Sequence, residues 1–264
     1  MTLEAPRAFN REMYHDHPEN VFYGTDDGCQ DGSFGEFCEI RAHYEGITPD
    51  RRDDIHMISV VGGLYGLNLI PLWRPKRITI FDINPTAITY FRIIQQVFTT
   101  SRDVGHFLKR LTDGDYPAHS DRERFVRENI CLKQKGCLPR SRGSTKRPYE
   151  QSWQYAFEHF ALTSQILSEV PLDIRTEPME SESFSQWIRG RPNLWIYCSN
   201  ITEFHYFDLE FQDPSNVVLL QIIYPGQTQL LDLAPLAGGP VRAKFQIPLK
   251  AERIDPKKPT SARA

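Results

Sequence analysis

The sequence predicts an α/β protein built on a doubly wound, mostly parallel sheet, with a helical insertion and a C-terminal antiparallel hairpin. Three observations predict it. From Ile55 onward, short apolar runs alternate with stretches in which apolar residues recur at helical spacing, and such a β-α-β rhythm implies parallel strands joined by crossovers. The first apolar run ends in a glycine turn, "VVGGLYGLNL", and the second ends on an acid, Asp82. Near the C-terminus, "TQLLDLAPLAGGPVRAKFQIPLK" reads as two strands about a Gly-Gly-Pro loop.

The elements follow in order. Residues 1–50, rich in Gly, Asp and aromatics, form an N-terminal cap of turns that ends in a helix over Phe34 to Tyr44. Residues 51–250 form the main domain. It opens with a strand over His56 to Val61, a helix from about Gly66 and a strand over Arg77 to Asp82. A second helix starts at Pro85 with Asn84 as N-cap; it spaces Ile88, Phe91, Ile94, Gln95 and Phe98 along one face and ends near Ser101. Residues 102–170 then interrupt the rhythm, with helical patterns over Val104 to Leu111, Arg122 to Leu132 and Gln151 to Leu167. Between the last two lies "KQKGCLPRSRGSTKRP", which has the composition of a basic surface loop. The rhythm resumes with "PLDIRTEP" as strand, "SESFSQWIRG" as helix, and "NLWIYCSN" and "SNVVLLQIIYP" as strands. From Lys250 the chain turns polar, and residues 251–264 read as a disordered tail.

Composition narrows the function classes. A formal net charge of −3 and a pI of about 6.3 give no basic field that would point to nucleic acid or an anionic membrane. No run approaches the ~20 apolar residues that cross a bilayer, and "MTLEAPRAFNREMYHDHPEN" lacks the apolar core of a leader, so no membrane insertion and a cytoplasmic location are expected. The five cysteines include no C-x-x-C pair, and His15, His17, His43 and His56 form no spaced ligand set with them; reduced thiols and no metal site are expected.

In an open parallel sheet the first βα turn meets the ligand with backbone amides, beyond the carboxyl ends of the strands. Gly62, Gly63 and Gly66 occupy that turn, where a chain without Cβ atoms can turn tightly and approach a ligand. Asp82 ends the next strand, where a carboxylate can accept both hydroxyls of an unphosphorylated ribose. The run G-G-L-Y-G does not supply the G-x-G-x-x-G that cradles the pyrophosphate of a dinucleotide. The same residues also suit a plain βα connection with Asp82 as a capping acid.

Matched by position, the turn resembles the first motif of the class I S-adenosylmethionine-dependent methyltransferases, acid-x-G-x-G-x-G, with Gly62 as first glycine and Gly66 as third. Val60 stands where that family has its acid, and Leu64 where it has its middle glycine. The resemblance runs from about Ile55 to Leu249 and implies a Rossmann-like fold that binds S-adenosylmethionine. It places Gly62, Gly63, Leu64 and Gly66 around the methionine end, Asp82 and Ile83 at the ribose, and Met179 and Glu180 with Ser181 beside the adenine. The last three equally suit an exposed acidic turn.

After the fourth strand comes "CSNITEFHYF", where nucleophile and transferred group would meet. Ser199 and Asn200 could hydrogen-bond cofactor or substrate, and Glu203, His205 and Tyr206 could each take a proton from an attacking amine or hydroxyl. The string "YCSNITEF" also resembles the S-N-I element of enzymes that move the 3-amino-3-carboxypropyl group of S-adenosylmethionine, as in betaine-lipid synthesis; nicotianamine synthases and nocardicin-type enzymes make a similar transfer. In the cap, Tyr14, Phe22 and Tyr23 could pack on the sulfonium or adenine, or simply pin the arm to the core. The expectation is a transferase acting on a small-molecule acceptor, with methyl transfer to N or O leading, aminocarboxypropyl transfer or ring closure as its near rival, and a non-catalytic binding module from another class. Nucleic-acid modification through Lys133 to Arg147 is a further alternative, and the apolar hairpin near Leu230 and Phe245 offers a seam for a homodimer.

Overall fold

The computed structural model describes residues 33–61, 64–128, 137–138, 147–148, 153–198, 206–223 and 227–254. Helices α1 (Ser33–Gly46) and α2 (Pro49–Arg52) lead into β1 (His56–Val60), α3 (Gly66–Trp73), β2 (Arg77–Phe81) and α4 (Pro85–Thr99). The insertion carries α5 (Val104–Asp113), α6 (Asp121–Val126), α7 (Gln154–Glu158) and α8 (Phe160–Glu169), with a two-residue ladder between β3 (Cys137–Leu138) and β4 (Arg147–Pro148). Then follow β5 (Leu172–Arg175), α9 (Glu182–Arg189), β6 (Leu194–Tyr197), β7 (Phe207–Phe211), β8 (Val218–Ile223), β9 (Gln227–Asp232), β10 (Val241–Phe245) and β11 (Lys250–Arg253).

Six strands form the main sheet in the order β5-β2-β1-β6-β8-β9. The first five run parallel, and β9 turns back antiparallel on β8. Every residue of β1 is buried, as a central strand covered on both faces requires. Its alternation shows which helix covers which face: Met57 and Ser59 lie against Gly66 of α3, whereas the His56 ring meets Trp187 of α9 at 5.7 Å. The helices therefore lie on both sides, and the sheet is doubly wound as the sequence predicts. From β1 the order runs to β2 and β5 on one side and to β6 and β8 on the other, so it reverses between β1 and β6.

Local chemistry sets the connections. Asn84 caps α4 by accepting from the Thr86 amide at 2.8 Å, with Pro85 in the first turn. The insertion docks through two buried-side amides: Asn68 of α3 accepts from the Ala156 amide at 3.1 Å, and Gln95 of α4 donates to the Leu167 carbonyl at 3.1 Å. On the opposite edge, Arg51 grips both oxygens of Asp232 at 2.8 and 2.7 Å, tying α2 to the end of β9. Burial pushes the Asp232 carboxyl up, but its bonds to Arg51 and to the Ala234 amide override that and hold it below the usual carboxylate range.

Several elements differ from the sequence reading. The pattern over Gln151 to Leu167 breaks at His159, whose ψ of 36° is not helical, giving α7 and α8. Within the segment expected to be helical over Arg122 to Leu132, the α-helix runs Asp121–Val126, and residues 129–132 lie outside the described residues. The two strands expected to pair as a hairpin form but join different sheets: β9 pairs with β8, while β10 pairs with β7 and β11 in a three-stranded antiparallel sheet. The apolar run of β8 belongs in a core sheet, whereas β10 and β7 alternate buried and half-exposed residues and suit a sheet with one wet face. A short 3-10 turn at Ala234–Leu236, followed by Gly238 at φ 104°, carries the chain between them. Lys250–Arg253, expected to start the tail, pair with β10 instead. Phe245 is buried and stacks on Phe207 at 4.6 Å, so it is not exposed as an intersubunit seam. No described helix is long and apolar enough to cross a membrane.

Candidate functional site

The carboxyl ends of β1 and β6, where the strand order reverses, frame the crevice in which ligands of open parallel sheets bind. On the β1 side the chain leaves the strand at Val61, whose amide donates to the Phe81 carbonyl at 3.2 Å. Leu64 then donates its amide to the Val61 carbonyl at 2.9 Å, closing the turn. Leu64 has φ 62°, in the left-handed region that costs a β-carbon residue about 1–2 kcal/mol. Its side chain is only 2% exposed, and full burial of a leucine returns about 1.5–3 kcal/mol, so packing holds the strained backbone where a glycine would be at ease.

Gly66 has a different task. A Cβ built on it would stand 2.4 Å from Ser59 Oγ, which itself donates to the Val60 carbonyl at 2.9 Å. The glycine lets the first turn of α3 press onto β1, which is the close helix–strand packing that the third glycine of such turns provides.

Asp82 follows the last residue of β2 and is half-buried. Its amide donates to the Arg175 carbonyl at 3.1 Å, extending the β2–β5 pairing one step, and its Oδ1 accepts from the Asn84 amide at 2.9 Å. The carboxylate is thereby fixed at the strand's carboxyl end, one strand from the reversal. Ile83 beside it is half-buried. β5 is the next neighbour of β2, so the turn after it leaves the sheet alongside Asp82. In that turn Met179 is buried and Glu180 half-buried, and Ser181 caps α9 by accepting from the Phe184 amide at 3.1 Å. Met179 is thus a core residue and not part of an exposed turn.

On the β6 side, Tyr197 ends the strand, and its ring lies 5.5 Å from that of Tyr65 at the start of α3. Phe37 of α1 approaches Tyr65 at 6.5 Å and Tyr155 of α7 at 4.6 Å. Phe37, Tyr65 and Tyr197 are buried, so these rings form an aromatic core cluster that ties the cap helix, the start of α3, the insertion and β6 together. Sequence reading passed over Tyr65 and Tyr197; the signal available was an aromatic at each of the two strand ends, one inside the glycine turn and one before "CSN". Cys198 is buried, and burial pushes its thiol far above the usual range; it donates to the Leu220 carbonyl at 3.3 Å and stays protonated. It is a packing residue and not a nucleophile.

Of the residues singled out from sequence, the structure brings Leu64 and Gly66 to the β1 end, and Asp82 and Ile83 to the β2 end. Tyr206 is exposed and immediately precedes β7. Gly62, Gly63, Ser199, Asn200, Glu203, His205, Tyr14, Phe22, Tyr23 and most of the basic loop lie outside the described residues. Among the described residues, no three His, Cys, Asp or Glu side chains gather as a metal site would require. No protein-family model matches this chain, and no curated protein matches it at a significant level.

Proposed function

We propose that the crevice between β1 and β6 binds S-adenosylmethionine and that the protein is a class I-type transferase acting on a small molecule, with methyl transfer to nitrogen or oxygen as its reaction. The observation that carries this reading is Asp82, a half-buried carboxylate held at the end of β2 beside the point where the sheet order reverses. At that place a carboxylate accepts ribose hydroxyls, and Gly66 packs α3 closely onto β1 as the third glycine of such a turn does.

The chemistry asks mainly for alignment. The acceptor's lone pair attacks the methyl carbon, the carbon–sulfur bond breaks onto sulfur, S-adenosylhomocysteine leaves, and the acceptor's proton passes to a base. Holding nucleophile, carbon and sulfur in line can be worth effective molarities of ~10⁵–10⁸ M. Tyr206, exposed before β7, is a described candidate for that base or for acceptor binding.

Aminocarboxypropyl transfer is the second reading, and the apolar Val60 and Leu64 favour it. Both are buried where the methyltransferase motif has an acid and a glycine, so the methionine end would be held differently at the carbon on which the two reactions diverge. Incubation with S-adenosylmethionine and identification of the nucleoside separates them: S-adenosylhomocysteine marks methyl transfer, and 5′-methylthioadenosine marks attack on the aminocarboxypropyl arm. Binding without any nucleoside product would leave a non-catalytic module. Asp82→Asn keeps an oxygen for the Asn84 amide but loses the anionic acceptor, so S-adenosylmethionine affinity in calorimetry should fall about tenfold or more with the fold retained. No binding by the wild-type chain would sink the whole reading.

A further inference from the structure

The opposite end of the sheet carries a second concavity. Between the starts of β2 and β5 and the last turn of α9 opens a cavity of about 200 Å³. Pro171, Leu172 and Trp187 give it apolar walls, and Arg77, Arg191 and Asp173 bring its charges.

The charges are not balanced within the chain. Arg175 and Arg191 stack on the Trp187 ring, each with its guanidinium carbon 4.5 Å from the centroid, but their partners differ. Arg175 is paired with Glu177. Arg191 is steadied by donating to the Trp187 carbonyl at 3.0 Å, and neither it nor Arg77 has a carboxylate within ion-pair distance among the described residues. Burial and the neighbouring Arg77 and Arg175 push the Arg191 guanidinium below its ordinary pKa, offset in part by Asp173. Two unpaired guanidiniums against one carboxylate leave one net positive charge facing an apolar cavity. Behind the wall, the buried His56 shares a 2.8 Å hydrogen bond with Thr79 and stays neutral, adding no charge of its own.

We propose that this cavity binds a small monocarboxylate with an apolar body, its charge between Arg77 and Arg191 and its body against Trp187 and Leu172. A single net charge suits a monoanion, and Asp173 repels a dianion such as phosphate. The volume, below the ~300–1,000 Å³ of pockets for larger ligands, sets a body of about one ring. The site lies at the amino ends of the strands, so it is independent of the crevice between β1 and β6.

Sodium benzoate is the probe, titrated into the full chain at constant ionic strength. Tryptophan fluorescence should change saturably with a dissociation constant of about 1 mM or tighter, and the His56 ring resonances should shift in parallel. Methyl benzoate, which lacks the charge, should not bind. Arg77→Gln with Arg191→Gln should weaken benzoate by about tenfold or more, and Asp173→Asn, which keeps an oxygen for the Ile174 amide, should tighten it by about threefold. The proposal is overturned if benzoate never saturates, if methyl benzoate binds equally, if phosphate competes as well as benzoate, or if the arginine variants melt like wild type and bind benzoate unchanged. Should the arginine variants fail to fold, an affinity unaltered by Asp173→Asn overturns it on its own.

Discussion

At the scale of residues, Gly66 and His56 carry the sharpest expectations. Gly66→Ala places a methyl against Ser59 Oγ, which can turn away only by giving up its bond to the Val60 carbonyl. A loss of about 1–3 kcal/mol in denaturant unfolding is expected. In a Ser59→Ala background the nearest strand atoms are at ordinary contact distance, so a double-mutant cycle should show coupling of about 1 kcal/mol; additive losses would refute the contact. His56 is held at a pKa of about 4 by burial first, then by Arg191 and Arg77. The folded chain therefore refuses a proton that the unfolded chain accepts below about 6.5. Stability should fall as pH drops from about 6.5 to 4, by up to roughly 3 kcal/mol. His56→Gln should flatten most of that slope, while His43, lowered by its own burial, retains a smaller part. An unchanged slope in pH-dependent melts would contradict this. At the same scale, Asp82 and Gly66 were legible because their roles follow from position alone: an acid ending one strand, and a glycine starting a helix against another. Tyr65 and Tyr197 were not, because two tyrosines 132 positions apart in sequence become neighbours only once β1 and β6 are paired.

At the scale of elements, the strands of the main sheet and the longer helices could be read from periodicity and caps, whereas α2, β3, β4 and β7 could not; α4 is the clearest case, since its Asn84 cap and Pro85 start both formed. Pairing was harder to read. The stretch from Gln227 to Phe245 holds two strands in sequence, and proximity suggests a hairpin, but β8 offers β9 an antiparallel edge and β7 offers β10 a matching half-buried one. β11 escaped notice because three of its four residues are charged and only Ala251 packs inward. It nonetheless covers β10, with Lys244 and Glu252 paired at 2.9 Å across the two strands. A chain ending at Leu249 should therefore lose about 1–3 kcal/mol, with faster amide exchange confined to β10 and β7 and protection retained in β8 and β9. Equal loss of protection across both sheets would show that the second sheet is not a separate unit.

Across the whole molecule, the doubly wound order was predictable from the β-α-β rhythm, whereas the route from β6 to β8 was not. A crossover helix is the ordinary link between parallel strands, but here the link contains β7, a strand of the other sheet. The central pairing carries a consequence for how the chain assembles. His56 of β1 meets Leu194 of β6, so the innermost ladder joins segments with more than half the polypeptide between them. Contacts of such sequence separation form slowly, since a long loop must close before they are rewarded. During synthesis β1, apolar on both faces, leaves the ribosome well before β6 exists to cover it, and β2 is its only early neighbour in the sheet. The interval between those two events is when this chain is most exposed to aggregation, and the insertion that lengthens it is the same segment that packs Tyr155 onto Phe37 of the cap helix.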